Sequence, residues 1–407
     1  MKCRFVLYFP KKVLCDFVVV CYNGYRTNEL FWKGVAAMQV RMTYQYKLYN
    51  NKQNRYLDHA IDIAADIWNH CIALHRRYYR MYGKHLSANR LKVFLTKLKR
   101  REKYAHWNLL GSQAVQDIVE RIARSYDAFF AHVNEHRSGR KAPPKFRNRK
   151  NYYSFTLKQC GYKFLEDNRV TIMGRTYKYV NHRPFVGTIK TFTVKRTKAG
   201  EFYIYLSVVQ EWPEVSSRTG DAVGLDFGLK HFLTMDSGKT IDSPQWYASA
   251  LKDLRKAHRA VSRCQKGSNN RQRALLHLER TYEKISNRRK DWFFKLANEL
   301  TSQYSIIFIE NLNLDGMKRL WGRKTSDLAY GEFIQIMEWV AFKNGSIVVK
   351  VDRWLPSSKT CHICGTVNNN LTLTDRRWVC DGCGTVLDRD TNAAINIREA
   401  GLSVLSA

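Results

Sequence analysis

Cys361-His362-Ile363-Cys364 and Cys380-Asp381-Gly382-Cys383 lie fifteen residues apart, and seven residues beyond the last thiol the chain reads Asp390-Thr391-Asn392-Ala393-Ala394. This spacing predicts a structural zinc ribbon, with Cys361, Cys364, Cys380 and Cys383 binding Zn2+ tetrahedrally. Protein ligands then fill every position around the metal, so the ribbon itself does no chemistry. Neither CxxC has the strand and helix context of a thioredoxin-like redox site. The order is the informative part: a zinc clamp, then an acid opening the helix-like run from Thr391 to Arg398.

Two further acids stand where an apolar strand stops. Ala222-Val223-Gly224-Leu225 ends in Asp226, and Ser305-Ile306-Ile307-Phe308-Ile309 ends in Glu310. A carboxylate beside an apolar run is costly unless something compensates its charge, and a metal ion does so. Any one such acid also reads as a turn residue or a helix cap. Three in the order Asp226, Glu310, Asp390 point instead to a magnesium site, with manganese as a substitute, because hard carboxylate oxygens suit that ion. Two such ions ~4 Å apart align the attacking water and leaving oxygen of a phosphodiester. Asp388 competes for the third place; Asp390 is preferred because it adjoins the helix start, leaving Asp388 to cap or support it.

Composition points the same way. The 407-residue chain carries 69 Lys plus Arg against 35 Asp plus Glu, a formal charge of +34. Such a surplus calls for a polyanionic partner, nucleic acid before an anionic membrane. Basic and aromatic residues interleave at His75-Arg76-Arg77-Tyr78-Tyr79-Arg80, which suits stacking beside phosphate contacts. Lys190, Lys195 and Arg196 mark a basic sheet face, read either as a nucleic-acid surface or as a solvated one. The ribbon too has two readings: a staple, or a module whose Lys359, Arg376, Arg377 and Trp378 touch DNA. The remaining cysteines are scattered, which fits a reducing cytoplasm better than a disulfide framework. No P-loop appears, so nucleotide hydrolysis is not indicated.

The pass along the chain predicts a mixed α/β protein of several domains. Residues 1–41 form an extension of uncertain status, too short in its apolar run to span a bilayer, and the working protein is expected to start at Met38 or Met42. A first strand falls within 42–52 and a helical region within 53–141, with Ile61, Ala64, Ala65, Trp68, Ile72 and His75 on one face. Gly139, Pro143 and Pro144 mark its end. A β-rich stretch occupies 142–218. The catalytic region spans 219–357 with a basic helical insertion at 248–300, the ribbon 358–385, and the catalytic region resumes over 386–407.

Gly224-Leu225-Asp226-Phe227-Gly228, Ile309-Glu310-Asn311-Leu312, Pro356-Ser357-Ser358-Lys359-Thr360-Cys361 and Asp388-Arg389-Asp390-Thr391-Asn392-Ala393-Ala394 together resemble the TnpB (OrfB) proteins of bacterial insertion sequences, kin of the type V CRISPR effectors. The resemblance is specific over the C-terminal half and extends to the N-terminal half only in layout. It implies an RNase H-like RuvC nuclease with a nested zinc ribbon, preceded by a wedge β-barrel that carries an inserted helical recognition lobe. It further implies a guide RNA, single- and double-stranded DNA as partners, a bacterial cytoplasmic location at the nucleoid, and Asp226, Glu310 and Asp390 as the catalytic residues. A catalytically silent guided repressor and a strand-joining transposase are the alternatives.

Overall fold

The computed structural model describes residues 38–136, 141–212, 221–372 and 374–406. Most of the expected extension, and the segment from Ser138 to Arg140, lie outside the described residues. The described chain is mixed α/β and falls into two units, 38–212 and 221–406.

The first unit opens with β1 (Met38–Lys47), followed by α1 (Asn54–Tyr82), α2 (Ala88–Leu98) and α3 (Ser112–Asn134). Then come β2 (Ser154–Leu157), β3 (Tyr162–Leu165), β4 (Arg169–Ile172), β5 (Arg175–Lys178), β6 (Thr188–Arg196) and β7 (Phe202–Trp212). The strand starts at Met38, four residues before the expected Met42, because the alternation that buries Met42, Tyr44 and Tyr46 already holds at Val40. In α1 all six face residues expected from the sequence are buried. Gly83 ends that helix in the left-handed conformation (φ 62°), sending its N–H to the Tyr79 carbonyl at 2.8 Å.

The barrel expected here is not closed. β1-β7-β6-β2 form one antiparallel sheet and β3-β4-β5 a separate meander, with the bridge Leu48↔Tyr179 between them. Closure needs matched tilt and stagger around a full ring, and the four-residue β2 ends the first sheet as an edge.

The second unit contains β8 (Ala222–Asp226), β9 (Leu233–Met235), β10 (Thr240–Ile241), α4 (Trp246–Ser249), α5 (Leu251–Arg263), α6 (Asn269–Gln303), β11 (Ile306–Glu310), α7 (Leu314–Leu328), α8 (Tyr330–Asn344), β12 (Ile347–Val351), β13 (Arg377–Val379), β14 (Val386–Asp388) and α9 (Arg389–Ser406). Its sheet runs β10-β9-β8-β11-β12, with β8, β11 and β12 parallel. Strand alternation sorts the two faces. Val223, Leu225, Ile307 and Ile309 pack with Leu254 of α5, Phe293 of α6 and Phe333 of α8. Ala222, Ile306 and Phe308 face the other way, toward Ile397 of α9. Each fully buried side chain of β11 contributes about 1.5–3 kcal/mol of burial. The basic insertion is therefore no separate appendage, since α5 and α6 turn an apolar stripe into this core while their charges remain outside.

α9 lies flush on the sheet at two glycines. A Cβ on Gly224 would strike the Ala394 carbonyl oxygen and come within 2.9 Å of the Arg398 nitrogen, and one on Gly401 would run into the Phe308 ring. Arg398 Nη1 adds an ion pair to the buried Asp236 carboxylate at 2.9 Å.

Candidate active site

The register places the first two acids side by side. Leu225 pairs with Ile309 in parallel, so Asp226 and Glu310 follow at the carboxyl ends of adjacent strands, about 4.8 Å apart in backbone spacing. By alternation both lie on the face that carries Gly224 and Phe308, the face covered by α9. The carboxyl ends of parallel strands are where open α/β sheets place their ligands.

Asp226 keeps some accessible surface, yet enough protein surrounds it that burial is the largest influence on its carboxyl. Burial, then the negative charges of Asp390 and Glu310, push its pKa up to about 7, against the opposing pull of Arg389 and the Phe227 N–H. Asp226 thus lies within reach of the charge of both other acids. Burial likewise raises the Glu310 carboxyl. Asp390 sits in the first turn of α9, where the helix dipole favours an anion. Its two oxygens accept from Arg376 Nη1 at 3.2 and 3.0 Å. Asp388 is spent differently: its Oδ1 accepts the Thr391 N–H at 3.0 Å, capping the helix.

The four thiols form a cluster with all sulfurs within 4.8 Å of one another. Cys361 and Cys383 stand 3.7 Å apart and Cys364 and Cys380 3.5 Å apart, close to the edge of a tetrahedron built on 2.3 Å zinc–sulfur bonds. The two knuckles repeat each other: Gly365 N–H reaches the Cys361 carbonyl at 2.9 Å, and Gly384 N–H reaches that of Cys380 at 2.8 Å. Hydrogen bonds from Thr366 hold the Cys364 thiol down at about 6, favouring the thiolate a metal requires. The geometry and the donor set both fit zinc.

Two asparagines, absent from the residues singled out in the sequence, join the ribbon to α9. Asn392, 1% exposed, accepts the His362 N–H at 3.0 Å and donates to the Thr360 carbonyl at 2.7 Å. Asn396 donates to Thr360 at 2.6 Å and to Ser357 at 2.7 Å. Their i, i+4 spacing was the available signal, since it puts both amides on one helix face.

The expected nucleic-acid contacts divide. Arg76 and Arg77 are exposed on α1, Arg76 over the Phe146 ring at 4.6 Å. Lys190 and Lys195 are exposed on β6, and Arg377 on β13. Lys359 is half-buried, with Nζ 3.4 Å from the Asn369 carbonyl. Three others are turned to internal use. Arg196 binds Asp58 at 2.7 Å and Asp62 at 3.3 Å, Arg376 holds Asp390, and Trp378 is buried in the ribbon core with Cys361, Cys380 and Leu387. Trp378 alternates with exposed Arg377 and Val379, so the hairpin's own period turns it inward. Among the described residues no helix is long and apolar enough to cross a membrane.

A family model described as OrfB_IS605, "Probable transposase", matches residues 205–320, and one described as a Cas12f1-like TNB domain matches 330–397. A Streptomyces pristinaespiralis protein named "Putative RNA-guided DNA endonuclease" is 30% identical over 375 residues, covering 90% of each chain. This chain belongs to the TnpB (OrfB) family. The Escherichia coli relative, named "Putative RNA-guided DNA endonuclease InsQ", is 23% identical over 84% of this chain and 87% of its own. The cryo-EM structure of a Cas12f1-sgRNA-target DNA complex shares the fold, with a TM-score of 0.53 at 13% identity over 88% of this chain and 99% of that one.

Proposed function

We propose that this chain is an RNA-guided DNA endonuclease whose second unit is an RNase H-like, RuvC-type nuclease. Asp226, Glu310 and Asp390 are its catalytic, cation-binding residues, and the four-cysteine cluster is a structural zinc ribbon. The observation that carries the reading is that Asp226 and Glu310 end the adjacent strands β8 and β11, on the face covered by the helix that bears Asp390 in its first turn. Three carboxylates and no soft donor form the set that magnesium prefers, with manganese as its substitute. When bound, such ions supply the positive charge that the scissile phosphate, the attacking water and the leaving oxygen require.

The chain's own part is positioning. β8 and β11 hold two acids at fixed spacing, and the seating of α9 on Gly224 of β8, with its own Gly401 against Phe308 of β11, brings the third toward them. Asp226, its carboxyl raised to about 7 by burial and its acidic neighbours, would hold a proton below that pH where no cation is bound. Arg376 holds the Asp390 carboxylate in place through its Nη1 contacts to both oxygens. The relatives' names and the +34 charge support a guide RNA and DNA as partners, with base pairing reading the target. In this reading the first unit serves as wedge and recognition lobe, offering Arg76, Arg77, Lys190 and Lys195 to phosphates.

The test is to purify the chain from its host, sequence the RNA that accompanies it, and supply the complex with matching DNA and Mg2+. A discrete transcript, guide-directed cutting, and loss of cutting in Asp226→Ala with RNA binding kept within a few-fold are expected. Cutting that survives Asp226→Ala overturns the catalytic assignment. The "Probable transposase" description favours a strand-joining enzyme as the second reading, and products with joined ends would select it.

A further inference from the structure

Trp354 is 82% exposed, whereas Trp68, Trp107, Trp246 and Trp378 are each 7% exposed or less. Trp292 and Trp339 are partly buried in the sheet's core. Among the described residues the Trp354 indole meets no other ring. A lone exposed apolar residue means little, but this one sits on a loop anchored at both ends and close to the acids.

Val351, the last residue of β12, pairs with Glu310, and its carbonyl accepts the Asn311 N–H at 3.2 Å. Trp354 follows three residues later, within about 11 Å of that strand end even in fully extended chain. Two hydrogen bonds shape the loop between. Asp352 Oδ1 accepts the Trp354 N–H at 3.1 Å and the Asp352 carbonyl accepts the Leu355 N–H at 3.3 Å. Leu355 turns inward against the Phe308, Val351 and Ile397 cluster, and Pro356 follows. Ser357 is then clasped by Asn392 and Asn396 of α9. The loop is thus tied at one end to the strand beside Glu310 and at the other to the helix that bears Asp390. Its inward residue is Leu355 and its outward one is the indole, flanked by exposed Arg353.

We propose that Trp354 is a stacking platform for an unpaired base of the DNA strand being cut, a few nucleotides from the scissile phosphate, with Arg353 beside it for the backbone. The proposal rests on the nuclease reading above and adds to it a residue that positions the strand. An indole can cover a base only where that base has left its own stack, and aromatic stacking of this kind tolerates any sequence.

Kinetics on single-stranded oligonucleotides test it, with an abasic residue walked along the strand. Loss of the indole in Trp354→Ala raises KM about 10- to 100-fold, with kcat changed less and the melting temperature unchanged, and Trp354→Phe recovers most of the loss. One abasic position slows the wild type to a similar degree and adds nothing in Trp354→Ala. A KM within two-fold of wild type, or an abasic penalty that persists in the variant, overturns the proposal; an exposed indole that docks a protein would give that result. Oligothymidine binding by the uncut Asp226→Ala chain, with and without Trp354→Ala, keeps the two ideas apart. If the wild type cuts nothing but this affinity difference remains, the endonuclease reading fails and the stacking site stands.

Discussion

Gly224→Ala is the sharpest perturbation of the proposed nuclease, because the residue lies two positions before Asp226 and on the same face of β8. The added methyl would meet the Ala394 carbonyl oxygen and lie 2.9 Å from the Arg398 nitrogen and 3.0 Å from its Cβ. Two of these neighbours are helix backbone, which cannot rotate aside. α9 has to lift from the sheet by ~1 Å, and a misplacement of that size in a catalytic constellation costs about 100-fold in rate. Overpacking of this kind also destabilises by about 1–3 kcal/mol, equivalent to roughly 2–12 °C in Tm for a domain of this size. Scanning calorimetry and guide-directed cleavage with Mg2+ read the two effects. Gly331→Ala is the control: its new methyl would meet only a Leu314 methyl at 3.0 Å, the end of a flexible side chain. A Gly224→Ala chain with unchanged Tm and cleavage within two-fold of wild type would refute the flush seating of α9 and its role in spacing the acids.

The remaining predictions concern the metals. Because the Asp226 carboxyl is raised to about 7, cation binding must displace its proton below that pH; Mn2+ affinity by calorimetry should rise up to about ten-fold per pH unit until pH 7 and then level off. The same shift makes the cation-free protein lose stability as pH climbs from about 4 to 7, since the unfolded carboxyl ionises first, and Asp226→Asn should weaken both trends, leaving the part that the raised Glu310 carboxyl contributes. Cys380→Ser should drop zinc content below one per chain and open 358–388 to protease; full zinc and unchanged resistance would refute the ribbon assignment. Arg376→Ala removes a rival for the Asp390 oxygens, so cation affinity should tighten about 2- to 5-fold, within the range of an exposed ion pair. Weaker binding would instead make Arg376 a support for the site.

The positions of the acids were legible because an apolar run that stops at a carboxylate is a local event, as at Leu225-Asp226 and Ile309-Glu310. The zinc pattern is local in the same way. Adjacency was not local: nothing within Ala222–Asp226 states that Ile306–Glu310 lies beside it, and the motif order alone carried that inference. Arg196 looked like a surface cation because its partners, Asp58 and Asp62, lie on α1, far away in sequence. The inward turn of Trp378 could have been read from the alternation of Arg377 and Val379 had the hairpin been recognised. Sheet closure was beyond reach, since tilt and stagger belong to the whole ring and not to any strand.

The strand β11 has one more consequence, for folding. Ile306 pairs with Ala222 on one side and with Ile347 on the other, both in parallel strands far off in sequence, so no hairpin can bring β11 into this sheet. Long stretches of chain must be ordered before either pairing is rewarded, which makes for slow assembly. The amides of Ile307, Phe308 and Ile309, at 0% exposure, should be among the last to exchange their hydrogens with solvent.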